Sequence, residues 1–500
     1  MKTSPFFVPF LSIMLVFPYT LIGQLTPTQQ ATLTTSNVEI PAKYSTQFSS
    51  RTVQMPTGFK AKVFYSGNLL NKPRFMSFSP DSILHVANKN GGTVVAMPDR
   101  NRDGVADTAY VAADNLSGAH DVRFYRGDMY VALERSVLKL TDGNNDGFYE
   151  TRTTFIANIA SGAQQPGGGH NTRTLVFDDK NQKVYLSIGS LCNVCRESAR
   201  AIIEEYNIDG TGRRVYATGI RNAVGMTLHP ATNSLWANNN GNDNQGNDVP
   251  PEWIDIIRDG NFYGYPLTHS YRQWFNFNLG SEYQALRPIT ATDSALVLKQ
   301  SAPGALITAH SAPMALEFSN SSFPPQYRNG LWCVLRGSWN RTPATGYKLI
   351  YLGFTNAQDT TADFVMDAVT GMFNGTSTWA RPVGLALDKR GTIYLGSDEN
   401  TQVILAISTQ SLTSIETTPS LSFSITPNLV SQYFTVDYPL FSGANATQIE
   451  VFDALGRLVS SEKMTQSTQF MTTKTLQTGV YVVRVNEGIR FGIQRILIQK

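Results

Sequence analysis

The sequence predicts an all-β fold, a six-bladed β-propeller followed by a small immunoglobulin-like β-sandwich. Three observations predict it. An apolar alternating run, a short polar turn and a second run ending in a small residue recur six times. A loop of spacing DxNxDGxx(D/E) occurs twice, 43 residues apart, at Asp99–Asp107 and Asp142–Glu150. A Ser/Thr-rich passage from Ser408 to Ser424 then gives way to a second, shorter set of alternating strands.

The six units begin at Phe75 (FMSFSPDSILHVA), Asp121 (DVRFYRGDMYVA), Thr174 (TLVFDDKNQKVYLS), Gly225 (GMTLHPATNSLWA), Met314 (MALEF…GLWCV) and Gly384 (GLALDKRGTIYLG). Each is a period-two hairpin, the pattern of half-buried antiparallel strands. A repeat of roughly 40–50 residues carrying about four strands is a propeller blade. The uneven spacing places long insertions in the fourth and fifth blades.

Length and composition fit. A chain of 500 residues exceeds one ordinary domain, and 41% hydrophobic residues suffice for a sizeable core. A net charge of +3 gives no broad basic surface and argues against nucleic acid as a partner. The N-terminus sets Lys2 ahead of an apolar run ending near Gly23 and interrupted by Pro9 and Pro18. That pattern reads as a secretory signal rather than a membrane span, and no later segment is long and apolar enough for a transmembrane segment. The expected organisation is a signal peptide over 1–23, an extension over 24–51, the propeller over 52–409, a linker over 410–422 and a C-terminal module over 423–500.

Of three cysteines, Cys192 and Cys195 could close a small disulfide, form a redox pair or hold a metal with outside help. Two thiols alone make a poor zinc site. Cys333, inside GLWCV, reads as a buried small hydrophobe.

The chemistry is expected on turns that enter or leave the inner strands. Gly167-Gly-Gly-His170-Asn-Thr-Arg173 runs straight into the third unit, where glycines let a backbone approach a ligand. Arg221 and Asn222 precede the fourth unit, and Arg381 enters the sixth. Arg336, Arg341 and Lys348 flank Trp339 on a turn shaped by Gly337, Pro343 and Gly346. Cations on a rigid turn beside an indole suit a flat, multiply anionic ligand. Four cationic turns at equivalent points of a repeat are expected to converge at one end of the ring.

Residues from about Val53 to Ile407 resemble the soluble pyrroloquinoline quinone (PQQ) dependent sugar dehydrogenases, in their L-sorbosone dehydrogenase-like branch. The matching strings are Pro56-Thr-Gly-Phe59, His170-Asn-Thr-Arg173, Gly219-Ile-Arg-Asn222, Asn247-Asp-Val-Pro-Pro251, Asp259-Gly-Asn-Phe-Tyr-Gly-Tyr-Pro266, Ala309-His-Ser-Ala-Pro313, Gly337-Ser-Trp-Asn-Arg341 and Arg381-Pro-Val-Gly384. The resemblance implies a quinoprotein oxidoreductase acting on a sugar or sugar-derived aldehyde, with PQQ and calcium as cofactors and an external electron acceptor. By the same resemblance His170 falls at the general base. Arg221, Asn222 and Arg381 fall at quinone-binding positions, and Arg336 or Arg341 supplies a further cation. Gly241 and Asn242 fall in the turn whose carbonyls hold calcium.

Two places depart from that family. Arg336 stands where histidine is frequent, and Asn239-Asn-Gly-Asn242 lacks the family's acidic and basic pair. The lost carboxylate leaves two other readings open, a non-catalytic carbohydrate-binding propeller and a calcium-dependent lactonase-like hydrolase. The twin Asp99 and Asp142 loops read as peripheral, either weak calcium loops or Asx-stabilised turns.

The C-terminal module is similar to the sorting domain of the type IX secretion system. The similarity rests on Thr426-Pro-Asn428, Phe452-Asp-Ala-Leu-Gly-Arg457, Leu476-Gln-Thr-Gly-Val-Tyr481 and the basic end at Arg495. It implies the type IX machinery as a partner and a secreted or cell-surface location, reached through the periplasm.

Overall fold

The structure, a computed structural model, describes residues 25–161, 169–409, 421–439, 441, 447–487 and 490–500. The expected signal peptide, Gly167, Gly168 and most of the expected linker lie outside the described residues. Six four-stranded antiparallel sheets make the propeller. The first is Pro73–Phe78, Leu84–Asn88, Thr93–Met97 and Tyr110–Ala113, and the second Asp121–Tyr125, Asp128–Ala132, Val137–Thr141 and Thr151–Ile156. The third is Leu175–Asp178, Lys183–Ile188, Ile202–Asn207 and Arg214–Thr218, and the fourth Met226–Leu228, Leu235–Asn239, Glu252–Ile256 and Ala305–Ile307. The fifth is Pro313–Phe318, Gly330–Leu335, Lys348–Gly353 and Phe364–Val369. Ala380–Leu387, Ile393–Asn400 and Val403–Ser408 form the sixth, completed by Lys60–Tyr65 from the start of the chain.

Each recurring hairpin supplies the two innermost strands of one blade. The small residues that end them, Ala87, Ala132, Ser187 and Ala237, are buried where the blades crowd together. β-Branched and aromatic residues fill the spaces between blades, among them Val86, Val95, Val131, Val184, Ile254 and Tyr394. Burial of each such side chain contributes about 1.5–3 kcal/mol. Pairing of Lys60–Tyr65 with Val403–Ser408 joins the two ends of the ring and leaves no open radial edge. The long insertion falls in the fourth blade, between Ile256 and Ala305, and carries two short helices, Ser281–Gln284 and Ala291–Val297. The extra residues of the fifth blade are the turn from Arg336 to Tyr347.

The C-terminal module is a sandwich of a three-stranded and a five-stranded sheet. It has its own core of Phe434, Val436, Ile449, Val483, Val485 and Ile496. Among the described residues no helix is long and apolar enough to cross a membrane.

Antiparallel blades sort the loops. Segments entering an innermost strand and segments leaving a second strand share one end of the ring. Hairpin turns between the first two strands, and loops between the last two, share the other. The Asp99 and Asp142 loops link third and fourth strands, so they lie on the second face. In each, the leading aspartate accepts main-chain N–H bonds from the residues four and five positions on, Asp103 and Gly104 in one loop, Asp146 and Gly147 in the other. These loops also meet the sandwich. Arg457 Nη1 lies 3.3 Å from Asp142 Oδ2, and Arg100 donates to the Ala454 carbonyl at 3.0 Å.

Candidate functional site

The topology puts every candidate on the first face. His170 precedes the inner strand Leu175–Asp178, and Arg221 and Asn222 precede Met226–Leu228. Gly241 and Asn242 follow Leu235–Asn239, Arg336 and Arg341 follow Gly330–Leu335, and Arg381 lies in Ala380–Leu387.

His170 is held by Ser190, which leaves the second strand of the same blade. Its Nδ1 lies 3.0 Å from the Ser190 carbonyl oxygen and 2.9 Å from Ser190 Oγ. A carbonyl only accepts, so Nδ1 carries the proton and Nε2 is the bare nitrogen. Burial holds the imidazolium pKa well below the ordinary histidine value, and the Arg221 guanidinium adds to that effect. Beneath it, Arg173 Nη1 and Arg200 Nη2 both donate to the His170 carbonyl, at 2.9 and 2.7 Å. Their other hydrogen bonds also run to main-chain carbonyls, and among the described residues neither forms an ion pair. Among the described residues, the buried Arg173 Nε and Arg200 Nη1 have no partner. Gly189 explains how His170 and Asn222 come together. A Cβ there would fall 2.6 Å from His170 Cβ and 2.5 Å from Asn222 Oδ1.

Arg221, 4% exposed, is fixed by Asn193, which sits between the two cysteines. Nε donates to the Asn193 carbonyl at 3.1 Å, and Nη2 reaches Asn193 Oδ1 at 3.0 Å and Asp243 Oδ2 at 3.2 Å. Asp243 Oδ1 in turn accepts from Asn340 Nδ2 at 2.6 Å. The turn lacking a carboxylate at 239–242 is therefore flanked by one, supplied by the next residue. A second carboxyl lies below it, where Glu252 Oε2 accepts from the Gly241 N–H at 2.6 Å. Burial pushes Glu252 up to about 8. Asn240 O is engaged by Arg221, whereas among the described residues no hydrogen bond reaches the carbonyl oxygens of Gly241 and Asn242.

Arg336 and Arg381 join a second cluster on this face. Arg336 pairs with Asp398 at 3.1 Å and Glu399 at 2.5 Å, and Arg381 reaches Glu399 at 3.2 Å and the Gly337 carbonyl at 2.9 Å. Asp398 also pairs with buried Arg74, whose Nε donates to His120 Nδ1 at 3.3 Å. Arg341 does not belong to this cluster. It binds the Asn247 carbonyl and Asp248, clamping the turn of the fifth blade to that of the fourth. Trp339 is 75% exposed. Cys192 and Cys195 form a disulfide, and Cys333 is a buried free thiol.

Sequence reasoning missed Arg74, His120, Ser190, Arg200, Asp243, Asp398 and Glu399. One signal marks several of them. Polar residues sit at or just after the end of second strands, where an edge residue needs none, as in Gly189-Ser190 and Ser397-Asp398-Glu399.

A family model described as TrAA12-like matches residues 53–410, and one for a secretion system C-terminal sorting domain matches 424–499. The propeller is 26% identical over 298 residues to the pyrroloquinoline quinone-dependent pyranose dehydrogenase of Coprinopsis cinerea. That match covers 47% of this chain and only 39% of the relative's length. The holo form of the PQQ domain of a Coprinopsis cinerea pyranose dehydrogenase superposes with a TM-score of 0.58 at 22% identity, over 71% of this chain and 97% of that one. A calcium structure of a Trichoderma reesei carbohydrate-active enzyme of family AA12 gives 0.59 at 20% identity, over 71% and 96%. These structures establish the propeller fold, and the sorting domain marks the chain for type IX secretion to the cell surface or beyond. The chain belongs to the TrAA12-like family, with a secretion sorting domain as its last module.

Proposed function

We propose that the propeller is a secreted PQQ-dependent dehydrogenase that oxidises a sugar or sugar-derived aldehyde with calcium assistance and passes electrons to an external acceptor. One observation carries the reading. Arg173 and Arg200, buried beneath a histidine with a bare Nε2, have only carbonyl partners among the described residues. Two buried guanidinium groups without a direct ion pair among the described residues, beside a neutral base, fit an anionic ligand nearby.

The residues present fit the quinone. Gly189 lets His170 and Asn222 approach each other closely, and Arg221, Arg336 and Arg381 all lie on segments at this face of the ring. Of the two cations left open by sequence, Arg336 is the better placed, because Arg341 is spent on the neighbouring turn. The carbonyls of Gly241 and Asn242 are hard oxygen ligands suited to calcium. PQQ supplies a two-electron acceptor and calcium a Lewis acid when bound. The chain's own part is the proton. His170 Nε2 accepts it from the substrate hydroxyl, and the low pKa keeps that nitrogen free at neutral pH.

The lactonase-like alternative needs carboxylates free to line a metal on the axis. Asp398, near the end of the sixth blade's second strand, is instead shared by Arg74 and Arg336. Reconstitution is the test. The purified chain with PQQ and calcium should reduce a redox dye in the presence of some member of a sugar panel, whereas failure to take up quinone would support the non-catalytic reading.

A further inference from the structure

The short loop closed by Cys192 and Cys195 touches both halves of the site. Ser190, fully buried, has a single hydroxyl proton, and it goes to the Cys192 carbonyl at 2.8 Å. Ser190 Oγ is therefore an acceptor toward His170 Nδ1, in agreement with the Ser190 carbonyl beside it. The Ser190 N–H donates to the Arg221 carbonyl at 2.7 Å. Three residues further on, Asn193 receives Arg221 on its carbonyl and its side-chain oxygen, and that same side-chain oxygen accepts the Asp243 N–H at 2.8 Å. Tyr265 fastens the loop from outside. Its hydroxyl accepts from the Cys195 N–H at 3.1 Å and faces the Cys192 carbonyl at 3.4 Å. The carboxylate of Glu197 also braces the loop, accepting the Leu191 N–H at 2.9 and 3.0 Å.

We propose that Ser190 and the disulfide-closed loop Cys192–Cys195 are one positioning element, which fixes the proton of His170 on Nδ1 and holds Arg221 in register with it. The proposal rests on the dehydrogenase reading but concerns a property of the protein without quinone. His170, Arg221, Asp243 and Tyr265 all meet it, and the loop contacts them through its main chain and the side chains of Ser190 and Asn193, so a small displacement of the loop moves the base and the cation together. The loop would otherwise be free to fray, being a run of turns with no strand pairing among the described residues. The disulfide removes that freedom. Ser190 is a neutral acceptor, so it orients the imidazole without a carboxylate that would favour the charged ring.

Two measurements test this. In protein labelled with 15N at histidine, with His170→Ala identifying the signals, His170 should show the Nδ1–H tautomer in the wild type. Ser190→Ala keeps the main-chain carbonyl and removes Oγ, so it should retain that tautomer but move the Nδ1 resonance as one of the two acceptors is lost. In quinone-loaded enzyme, Ser190→Ala should lower kcat about tenfold, as expected for one lost hydrogen bond, with KM nearly unchanged. Cys192→Ser/Cys195→Ser should lower both kcat and PQQ affinity, each about tenfold, and Cys333→Ser should change neither. A wild-type His170 that carries its proton on Nε2 would overturn the proposal. So would a folded double serine variant with wild-type PQQ affinity and kcat. If no quinone binds to the wild type, the dehydrogenase reading fails by itself, while the tautomer measurement still decides this one.

Discussion

Arg336 Nη2 and Arg381 Nη1 meet on one oxygen, Glu399 Oε2, at 2.5 and 3.2 Å. Two guanidinium groups sharing one acceptor retain hydrogen-bonding capacity for a further anion. Arg336 is steadied by Asp398 and Arg381 by the Gly337 carbonyl, so neither has to reorganise before binding.

That arrangement separates the two cations that sequence alone could not rank. Arg336→Ala and Arg381→Ala should each weaken PQQ binding by about tenfold to a hundredfold, the effect of losing a charge-assisted contact. Arg341→Ala should stay within about threefold of wild type, since its partner Asp248 is an exposed loop carboxylate and exposed pairs contribute little. Quinone titration followed by fluorescence quenching gives the ranking, and a larger loss in Arg341→Ala than in Arg336→Ala would reverse it.

His170→Ala should still bind PQQ, because the arginines carry the attraction. Its kcat should fall by about two to four orders of magnitude, the usual contribution of a positioned base. Near-normal turnover in that variant would remove His170 from the mechanism.

The same histidine sets a pH expectation. The active form is neutral imidazole, which exists above its pKa. Burial and Arg221 lower that pKa, so kcat/KM should stay level as pH falls through the ordinary histidine range and decline only below it. An acid limb centred near an ordinary histidine pKa of about 6.5 would show that the imidazole is not shielded in this way.

The ring was legible because strand alternation is local. Every hairpin from Phe75 to Gly384 announces itself within a dozen or so residues. His170, Arg221, Asn222 and Arg381 were legible for a related reason, since each enters an inner strand of a repeat whose geometry fixes where entries lie. The outer strand Lys60–Tyr65 was not, because its partner Val403–Ser408 lies more than three hundred residues away. Ser190 and Asp243 were hidden differently. Their meaning comes from contacts with His170 and Arg221, across loops whose lengths say nothing about which residues face each other.

The Asp99 and Asp142 loops lie on the face opposite His170, where their aspartates cap main-chain N–H groups. Asp103→Ala and Asp146→Ala should therefore leave dye reduction within about twofold of wild type. Each would lose a carboxylate that receives a main-chain N–H two residues on, at 2.9 Å for Val105 and 2.7 Å for Phe148. The expected cost is about 1 kcal/mol of stability, readable as a lower melting temperature. A hundredfold loss of activity in a folded variant would contradict the loop topology.

Asp255 predicts how stability depends on pH. Its carboxyl is buried in the fourth blade, and burial pushes its pKa up to about 7, against the pull of Arg258 at 3.6 Å. In the unfolded chain the same group titrates near 3.9. Between those values the folded protein holds a proton that the unfolded chain releases. Stability from this group is therefore full below about pH 4 and is lost as pH rises through about 7, at roughly 1.4 kcal/mol per pH unit across the window. Glu252 acts in the same direction, so the wild-type curve mixes both groups. Asp255→Asn isolates one of them, because asparagine keeps an oxygen for the Ile256 N–H, which the aspartate receives at 2.7 Å, and cannot ionise. Denaturant unfolding of the propeller should show the variant gaining on the wild type between pH 5 and pH 8, by on the order of 2 kcal/mol. A difference between the two proteins that stays constant over that range would mean that Asp255 is ionised in the folded ring throughout.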